Sequence, residues 1–253
     1  MTTSKPQDIK RAVRERYAAR ATGAVSACCG PAEAAPPTPA RGVYLGADLS
    51  GLPGEVLLAS AGCGNPTALA DLKSGETVVD LGSGGGIDCF LAGRAVGPSG
   101  HVIGVDMTPQ MIELARSNAQ RLKAANVEFR QGEIEALPVQ DGTADVIISN
   151  CVVCLSPDKD AVFREAFRVL RPGGRLHISD MMLVGDLPQA IKDDPKRWAE
   201  CVGGAEPKEE YLARLGKAGF QRVSVKEERR YSSEPGLEAL RSVYVRAVKS
   251  LNG

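Results

Sequence analysis

From residue 77 onward, short runs of β-branched and apolar residues alternate with longer segments whose apolar positions recur every three or four residues. Thr77–Leu81, Val102–Asp106, Val127–Arg130, Asp145–Ser149, Arg175–Asp180, Arg222–Glu227 and Val243–Val248 have the length and composition of strands. Ile87–Val96, Pro109–Leu122, Pro157–Leu170 and Lys208–Ala218 carry the helical pattern. Two of these helices open on proline, with Thr108 and Ser156 as the expected N-caps, and Gly173–Gly174 and Gly219 are placed to stop helices. Strands alternating with helices predict a doubly wound, mostly parallel α/β sheet of seven strands. The last two runs have no long helix between them, which predicts an antiparallel edge.

Before residue 77 the pattern is irregular. Pro6–Arg20 reads as an amphipathic helix. Ala21–Arg41, with Cys28–Cys29 and then Pro31, Pro36, Pro37 and Pro39 among alanines, reads as a loop. Glu55–Ser60 and Asn65–Leu72 read as short helices flanking Cys63. The expected division is therefore 1–54, a helix and a cysteine-containing flexible loop, followed by one α/β domain over 55–253.

Composition narrows the function classes. The chain has 253 residues, 43% apolar and 25% charged, enough to bury a core without disulfides. Lys plus Arg (31) equals Asp plus Glu (31), so charge gives no case for nucleic acid or an anionic membrane as partner. The basic stretch Lys10–Arg20 is expected to be a solvated helix face. No apolar run approaches the ~20 residues of a membrane span, and MTTSKPQDIK has no apolar signal core. The expected location is cytoplasmic, where thiols stay reduced. The seven cysteines are then reactive groups, ligands or core filler rather than a disulfide framework.

The segment Asp80–Gly86 (DLGSGGG) ends the first strand, and Val102–Met107 (VIGVDM) contains the second. In a doubly wound sheet, ligands bind beyond the carboxyl ends of the strands. Gly82, Gly84, Gly85 and Gly86 allow unusual backbone angles and close approach of a ligand. The turn has no GK[ST] ending, and Ile87 breaks the dinucleotide spacing G-x-G-x-x-G. Asp106 stands where a carboxylate can accept both hydroxyls of an unphosphorylated ribose. The bland alternative is a tight glycine turn with Asp106 only capping the following helix.

Each cysteine also has its bland reading, since free cysteine is among the most buried residue types. Cys89, in IDCFLA, and Cys154, beside Val152, Val153 and Leu155, are expected to be core packing. Cys151 follows the fourth strand at its carboxyl end. Cys63 lies between Gly62 and Gly64, and Cys201 precedes Val202, Gly203 and Gly204. These three are expected to face a cleft. Three such thiols suit zinc poorly, because structural zinc sites take four ligands, usually as local pairs. CVVC has redox-pair spacing without the usual strand-to-helix setting. A trivalent thiophilic metalloid suits three soft thiolates better.

As an ordered set, DLGSGGG, GVDMT, QGEIEALP and RVLRPGG resemble the motifs of class I S-adenosylmethionine-dependent methyltransferases. That resemblance implies cofactor-binding positions at Asp80, Gly82, Ser83, Gly84, Gly86, Asp106, Met107, Glu133, Ile134 and Asn150. Asp80–Gly86 would surround the methionine part, Asp106 the ribose, Met107 and Ile134 the adenine, and Glu133 the adenine amino group. SAGCGNPTALADLKSGE, SNCVVCLSPDK and CVGGA further resemble the arsenite methyltransferases. This implies that Cys63, Cys151 and Cys201 bind As(III), with Cys28 or, better, Cys29 as a further functional thiol. It also implies arsenic-binding insertions within 55–253, and thioredoxin or glutathione as reductant. The sequence departs from the family at Cys154, where many relatives have Asn, and in the Pro/Ala-rich loop after Cys29. Two rivals remain: a small-molecule methyltransferase with structural cysteines, and a non-catalytic As(III)- or metal-binding protein.

Overall fold

The structure is a computed structural model that describes residues 6–23, 44, 47–231 and 235–251, without the side chains of 68 and 69. Cys28, Cys29 and the expected Pro/Ala-rich loop lie outside the described residues. Its elements in chain order are α1 (Pro6–Ala21), α2 (Gly54–Ala59), α3 (Pro66–Leu69), β1 (Thr77–Leu81), α4 (Ile87–Val96), β2 (His101–Asp106), α5 (Pro109–Leu122) and β3 (Val127–Gln131). There follow β4 (Ala144–Asn150), a 3-10 turn (Val153–Leu155), α6 (Lys159–Val169), β5 (Leu170–Leu183), α7 (Gln189–Lys192), α8 (Pro195–Ala199), β6 (Glu206–Pro207), α9 (Lys208–Lys217), β7 (Gln221–Arg230) and β8 (Leu240–Val248).

The sheet runs β3-β2-β1-β4-β5-β8-β7, with the two-residue β6 paired to β5 off this path. Its first five strands are mutually parallel, and β8 and β7 are antiparallel, so the predicted seven-strand sheet and its antiparallel edge are both present. β1, β2 and β4 are buried almost throughout, as parallel strands covered on both faces must be. Alternation then sorts the apolar side chains. Val79, Leu81 and Ile147 join one core with Phe163 of α6, while Val78, Val102 and Ile148 join a second with Phe90 of α4. In α6, Val162, Phe163, Ala166 and Val169 fall on one stripe, and full burial of each large apolar chain contributes about 1.5–3 kcal/mol.

Two boundary expectations are corrected. Ser156 does not cap α6: its hydroxyl donates to Glu135 Oε1 at 2.7 Å, and the Asp158 carboxylate instead accepts from Ala161 N at 2.9 Å, starting the helix after Pro157. Gly173–Gly174 do not end a helix but lie inside β5, where the register against β4 slips and a bulge absorbs them.

A third apolar cluster sits above the carboxyl ends of the central strands. It gathers Ile9 and Val13 of α1, Met181 and Leu183 of β5, Ala199 of α8, and Cys151, Cys154 and Cys201. Here the expectation of a solvated basic face on α1 holds for Arg11 and Arg14, which are exposed, and fails for Lys10, Arg16 and Arg20. Lys10 pairs with Glu133 at 2.7 Å and Glu135 at 3.2 Å, Arg16 with Glu200 at 3.4 Å, and buried Arg20 donates to the carbonyls of Ala59 and Ser60. These three residues fasten α1 across the end of the sheet. Among the described residues, no helix is long and apolar enough to cross a membrane.

Candidate active site

β1 and β4 are neighbours in the sheet although β2 and β3 lie between them in sequence, so the crevice of a doubly wound fold opens at their ends. The turn after β1 is shaped for a ligand. Gly84 has φ +51°, and nothing lies within 4 Å of where its Cβ would stand. Asp106 ties this turn to the next loop, accepting from Gly84 N at 2.9 Å and Thr108 N at 2.8 Å through different oxygens. The cleft here spans about 860 Å³, part of it open to solvent. Gly82, Ser83, Gly84, Asp106, Met107, Ile134, Asn150 and Cys151 line it, as the sequence led us to expect.

The other expected cofactor positions lie elsewhere. Asp80 is buried beneath the turn and accepts from the Cys89 thiol at 3.2 Å, which also confirms Cys89 as core. Gly86, at φ +95°, forms the N-cap of α4. Glu133 turns outward to Lys10 and Arg14, and Glu135 takes its place in the lining.

Two lining residues escaped the sequence reading. Tyr44 donates to Asp88 Oδ2 at 2.7 Å. Asp88 keeps its other oxygen buried and without a hydrogen-bond partner among the described residues, and burial raises its carboxyl to about 6 despite the bonds from Tyr44 and Asn150. An acid in the first turn of α4 was the available signal, though helix-dipole complementarity explains it equally well. Tyr44 carried none.

Asn150 proves to be a clamp. Its Oδ1 accepts from Cys63 N at 3.0 Å and Gly64 N at 3.1 Å, while Nδ2 reaches Gly64 O at 2.7 Å and Tyr44 Oη at 3.0 Å. The end of β4 thereby fixes the Cys63 loop. Ser242 Oγ supports the same loop from β8, donating to Cys63 O at 2.9 Å.

The thiols converge just beyond. Cys151 and Cys201 both have φ +62°, a left-handed conformation that costs a non-glycine residue about 1–2 kcal/mol. The surrounding structure enforces it: Cys151 N donates to Ser179 O at 2.7 Å, and Cys201 N to Trp198 O at 2.9 Å. Trp198 is itself held by its indole N–H on Lys192 O at 2.7 Å. Strain at two cysteines is the kind of backbone outlier that marks functional sites. Cys154, in the 3-10 turn, is fully buried as expected, yet its sulfur lies beside the other two. The sulfurs of Cys151, Cys154 and Cys201 are all within 4.8 Å of one another. Half-buried Cys63 lies near enough to Cys151 to help raise its thiol, but outside that set of three.

Charge in this cluster is uneven. Hydrogen bonds from Cys151 and then Cys154, helped by Tyr17, hold the Cys201 thiol well below its ordinary value. Hydrogen bonding to Cys154, Cys201 and Cys63, together with burial, pushes Cys151 well above its own. Burial first of all pushes Cys154 well above its own value too. The Cys201 thiol also donates to the Cys151 carbonyl at 3.4 Å, which ties the two cysteine loops together.

A family of methyltransferase domains matches residues 72–228, from just before β1 into β7. The arsenite methyltransferase of Halobacterium salinarum is 46% identical, over 87% of this chain and 59% of the relative. That of Rattus norvegicus is 36% identical, over 72% of this chain and 52% of the relative. The solved arsenic(III) S-adenosylmethionine methyltransferase of Chlamydomonas reinhardtii superposes with a TM-score of 0.69 at 36% identity, covering 79% of this chain and 71% of that one. The chain belongs to the S-adenosylmethionine-dependent arsenite methyltransferases. It spans about half the length of the curated relatives it matches.

The cleft of this arsenite methyltransferase family member fits the family's cofactor. Asp88 Oδ1 and Ser83 Oγ are buried polar atoms lacking partners among the described residues. Open space at Gly84 admits a ligand against the backbone, and Met107 and Ile134 supply apolar walls. An orphaned carboxylate oxygen suits the α-ammonium of S-adenosylmethionine, and the lone pairs left on Asp106 suit its ribose hydroxyls.

Proposed function

We propose that this chain methylates trivalent arsenic held on the sulfurs of Cys151 and Cys201 with one further thiol, for which Cys63 is the family's expectation. The observation that carries this reading is the convergence of three buried sulfurs, two of them on cysteines in left-handed conformation, beside the cofactor cleft. When bound, S-adenosylmethionine supplies an electrophilic methyl group. The chain's own part is to orient and desolvate. Sulfur ligation leaves arsenic one lone pair, and the loops after β4 and α8 fix where it points. The nucleophile carries no proton on the attacking atom, so no general base is required, and positioning of this kind can supply ~7–11 kcal/mol.

Transfer formally oxidises arsenic. Two thiolates leaving the metalloid as a disulfide return it to the trivalent state, and thioredoxin or glutathione restores the thiols by exchange. Cys29, Cys63 and Cys151 are assigned to that disulfide chemistry. In this reading residues 55–253 form the catalytic unit with its arsenic-binding insertions, and 1–54 supply the N-terminal helix and a further thiol. The protein works in the cytoplasm, without nucleic acid or membrane as partner.

An oxygen- or carbon-methylating enzyme with structural cysteines needs a base, and His177 is a poor one. Burial, then Arg175 and Arg246, lowers it to about 3. Arsenite-dependent formation of S-adenosylhomocysteine by the purified protein with a thiol reductant is the expected result. Turnover on hydroxylated acceptors but not on arsenite would favour that rival, and arsenite binding without turnover would favour sequestration.

A pH test reaches the cofactor site separately. The ionised form of Asp88 binds an ammonium, so cofactor affinity should fall as pH drops through about 6, approaching tenfold per unit. Asp88→Asn should bind more weakly and lose most of that dependence. Calorimetric titrations at pH 5, 6 and 7.5 check this, and an affinity in the unaltered protein that does not change with pH would count against Asp88.

A further inference from the structure

We propose that Cys154 is a direct arsenic ligand, so that Cys151, Cys154 and Cys201 form a complete three-sulfur site for As(III) without Cys63. This rests on the arsenic reading above and changes its third ligand. Buried packing alone would leave the Cys154 sulfur anywhere in the apolar cluster. Instead the 3-10 turn Val153–Leu155, closed by Leu155 N on Val152 O at 2.9 Å, sets position 154 three residues after Cys151. All three sulfurs then lie within 4.8 Å of one another, close enough for one small atom to reach every one of them, and Cys63 is outside that set.

The arrangement is fixed from behind. Cys154 N donates to Asp180 Oδ2 at 2.9 Å, and Tyr211 Oη donates to the same oxygen at 2.9 Å. On the opposite side, the Cys201–Gly204 segment packs so tightly that a Cβ on Gly204 would strike the Cys154 carbonyl and the Trp198 ring. The two cysteine-bearing loops are therefore locked to each other through Cys154. Such a rigid, soft, three-sulfur pocket selects a thiophilic trivalent centre over hard cations.

Loading balances without an added reagent. Three As–O bonds of As(OH)₃ break and three As–S bonds form. The three hydroxides leave as water with the three thiol protons, solvent supplying the proton wherever a thiol is already ionised. No electrons are exchanged. Cys63, left unligated next to Cys151, remains available for the disulfide that follows methyl transfer.

The test counts sulfurs rather than turnovers. Arsenic X-ray absorption is recorded on the full chain carrying Cys28→Ser and Cys29→Ser, loaded with one equivalent of arsenite and no cofactor. Three As–S contacts are expected in this background and again after adding Cys63→Ser. Adding Cys154→Ser to that variant should reduce the count to two sulfurs, with an oxygen in the third place. Cofactor titration and thermal melting confirm that each variant is folded, and the Cys63→Ser arm leaves Cys154 intact. A fall to two sulfurs on Cys63→Ser alone overturns the proposal while leaving arsenic methylation standing. So would three sulfurs in the doubly altered protein. Absence of any As–S contact in the background protein overturns both readings.

Discussion

Cys201→Ser is expected to abolish methylation of arsenite and of methylarsenite while leaving S-adenosylmethionine binding unchanged. The two halves of this result have separate structural causes. Cys201 follows α8, is 2% exposed and does not line the cofactor cleft, so its loss should not disturb the glycine turn or Asp106. Its sulfur nevertheless lies within 4.8 Å of those of Cys151 and Cys154, and hydrogen bonds first from Cys151 and then from Cys154 lower its thiol below the ordinary value. A serine hydroxyl in that place stays protonated and is a hard donor, so it binds a soft centre poorly. In the proposed site arsenite takes three sulfurs and methylarsenite two, with Cys201 among them in both cases. Single-turnover assays on each substrate, paired with calorimetric cofactor titration, check the prediction. Near-normal turnover on either substrate would remove Cys201 from the site.

Cys151→Ser should fail in the same assays with a less clean partition, because Cys151 lines the cofactor cleft. The left-handed backbone at both positions makes serine the informative replacement. Larger side chains would confound lost ligation with added strain. Alanine would leave space where the sulfur had been.

The parts of the molecule that were legible in the sequence are those governed by local chemistry. α4 and α5 begin and end where a glycine turn, a Thr-Pro pair and the apolar stripe place them. Cys63, Cys151 and Cys201 stood out because glycines or a strand end flank them, but of the three only Cys151 lines the cleft, and Cys151 and Cys201 are buried in an apolar cluster. What stayed hidden depends on contacts between distant segments. Asp88 acquires its role only when Tyr44 and Asn150 close on one of its oxygens and leave the other bare. Lys10 and Arg16 of α1 read as solvated because Glu133, Glu135 and Glu200 are more than a hundred positions away. Cys154 read as core, and it is buried. Which neighbours its sulfur meets is decided by a three-residue 3-10 turn with no local signature.

Asp106→Ala is expected to weaken S-adenosylmethionine binding by about tenfold to a hundredfold, the equivalent of losing a charge-assisted hydrogen bond worth ~1.5–3 kcal/mol. The structure adds a second consequence. The Asp106 carboxylate is buried, and its two oxygens accept from Gly84 N and Thr108 N, which belong to the turns after β1 and β2. Removing it leaves both backbone donors seeking partners and frees the glycine turn from the loop that starts α5. A buried donor left unpaired costs about 1–3 kcal/mol, so the melting temperature should fall as well. Asp106→Asn separates the two effects, since its single carbonyl oxygen can serve one backbone donor but not both. If Asp106 holds the ribose, cofactor affinity should fall in both variants, including at temperatures where each is fully folded. If it serves only as a loop clamp, Asn should restore affinity in proportion to the stability it restores. Calorimetric titration of both variants well below their melting temperatures distinguishes these outcomes, and unaltered affinity in Asp106→Ala would remove Asp106 from the cofactor site altogether.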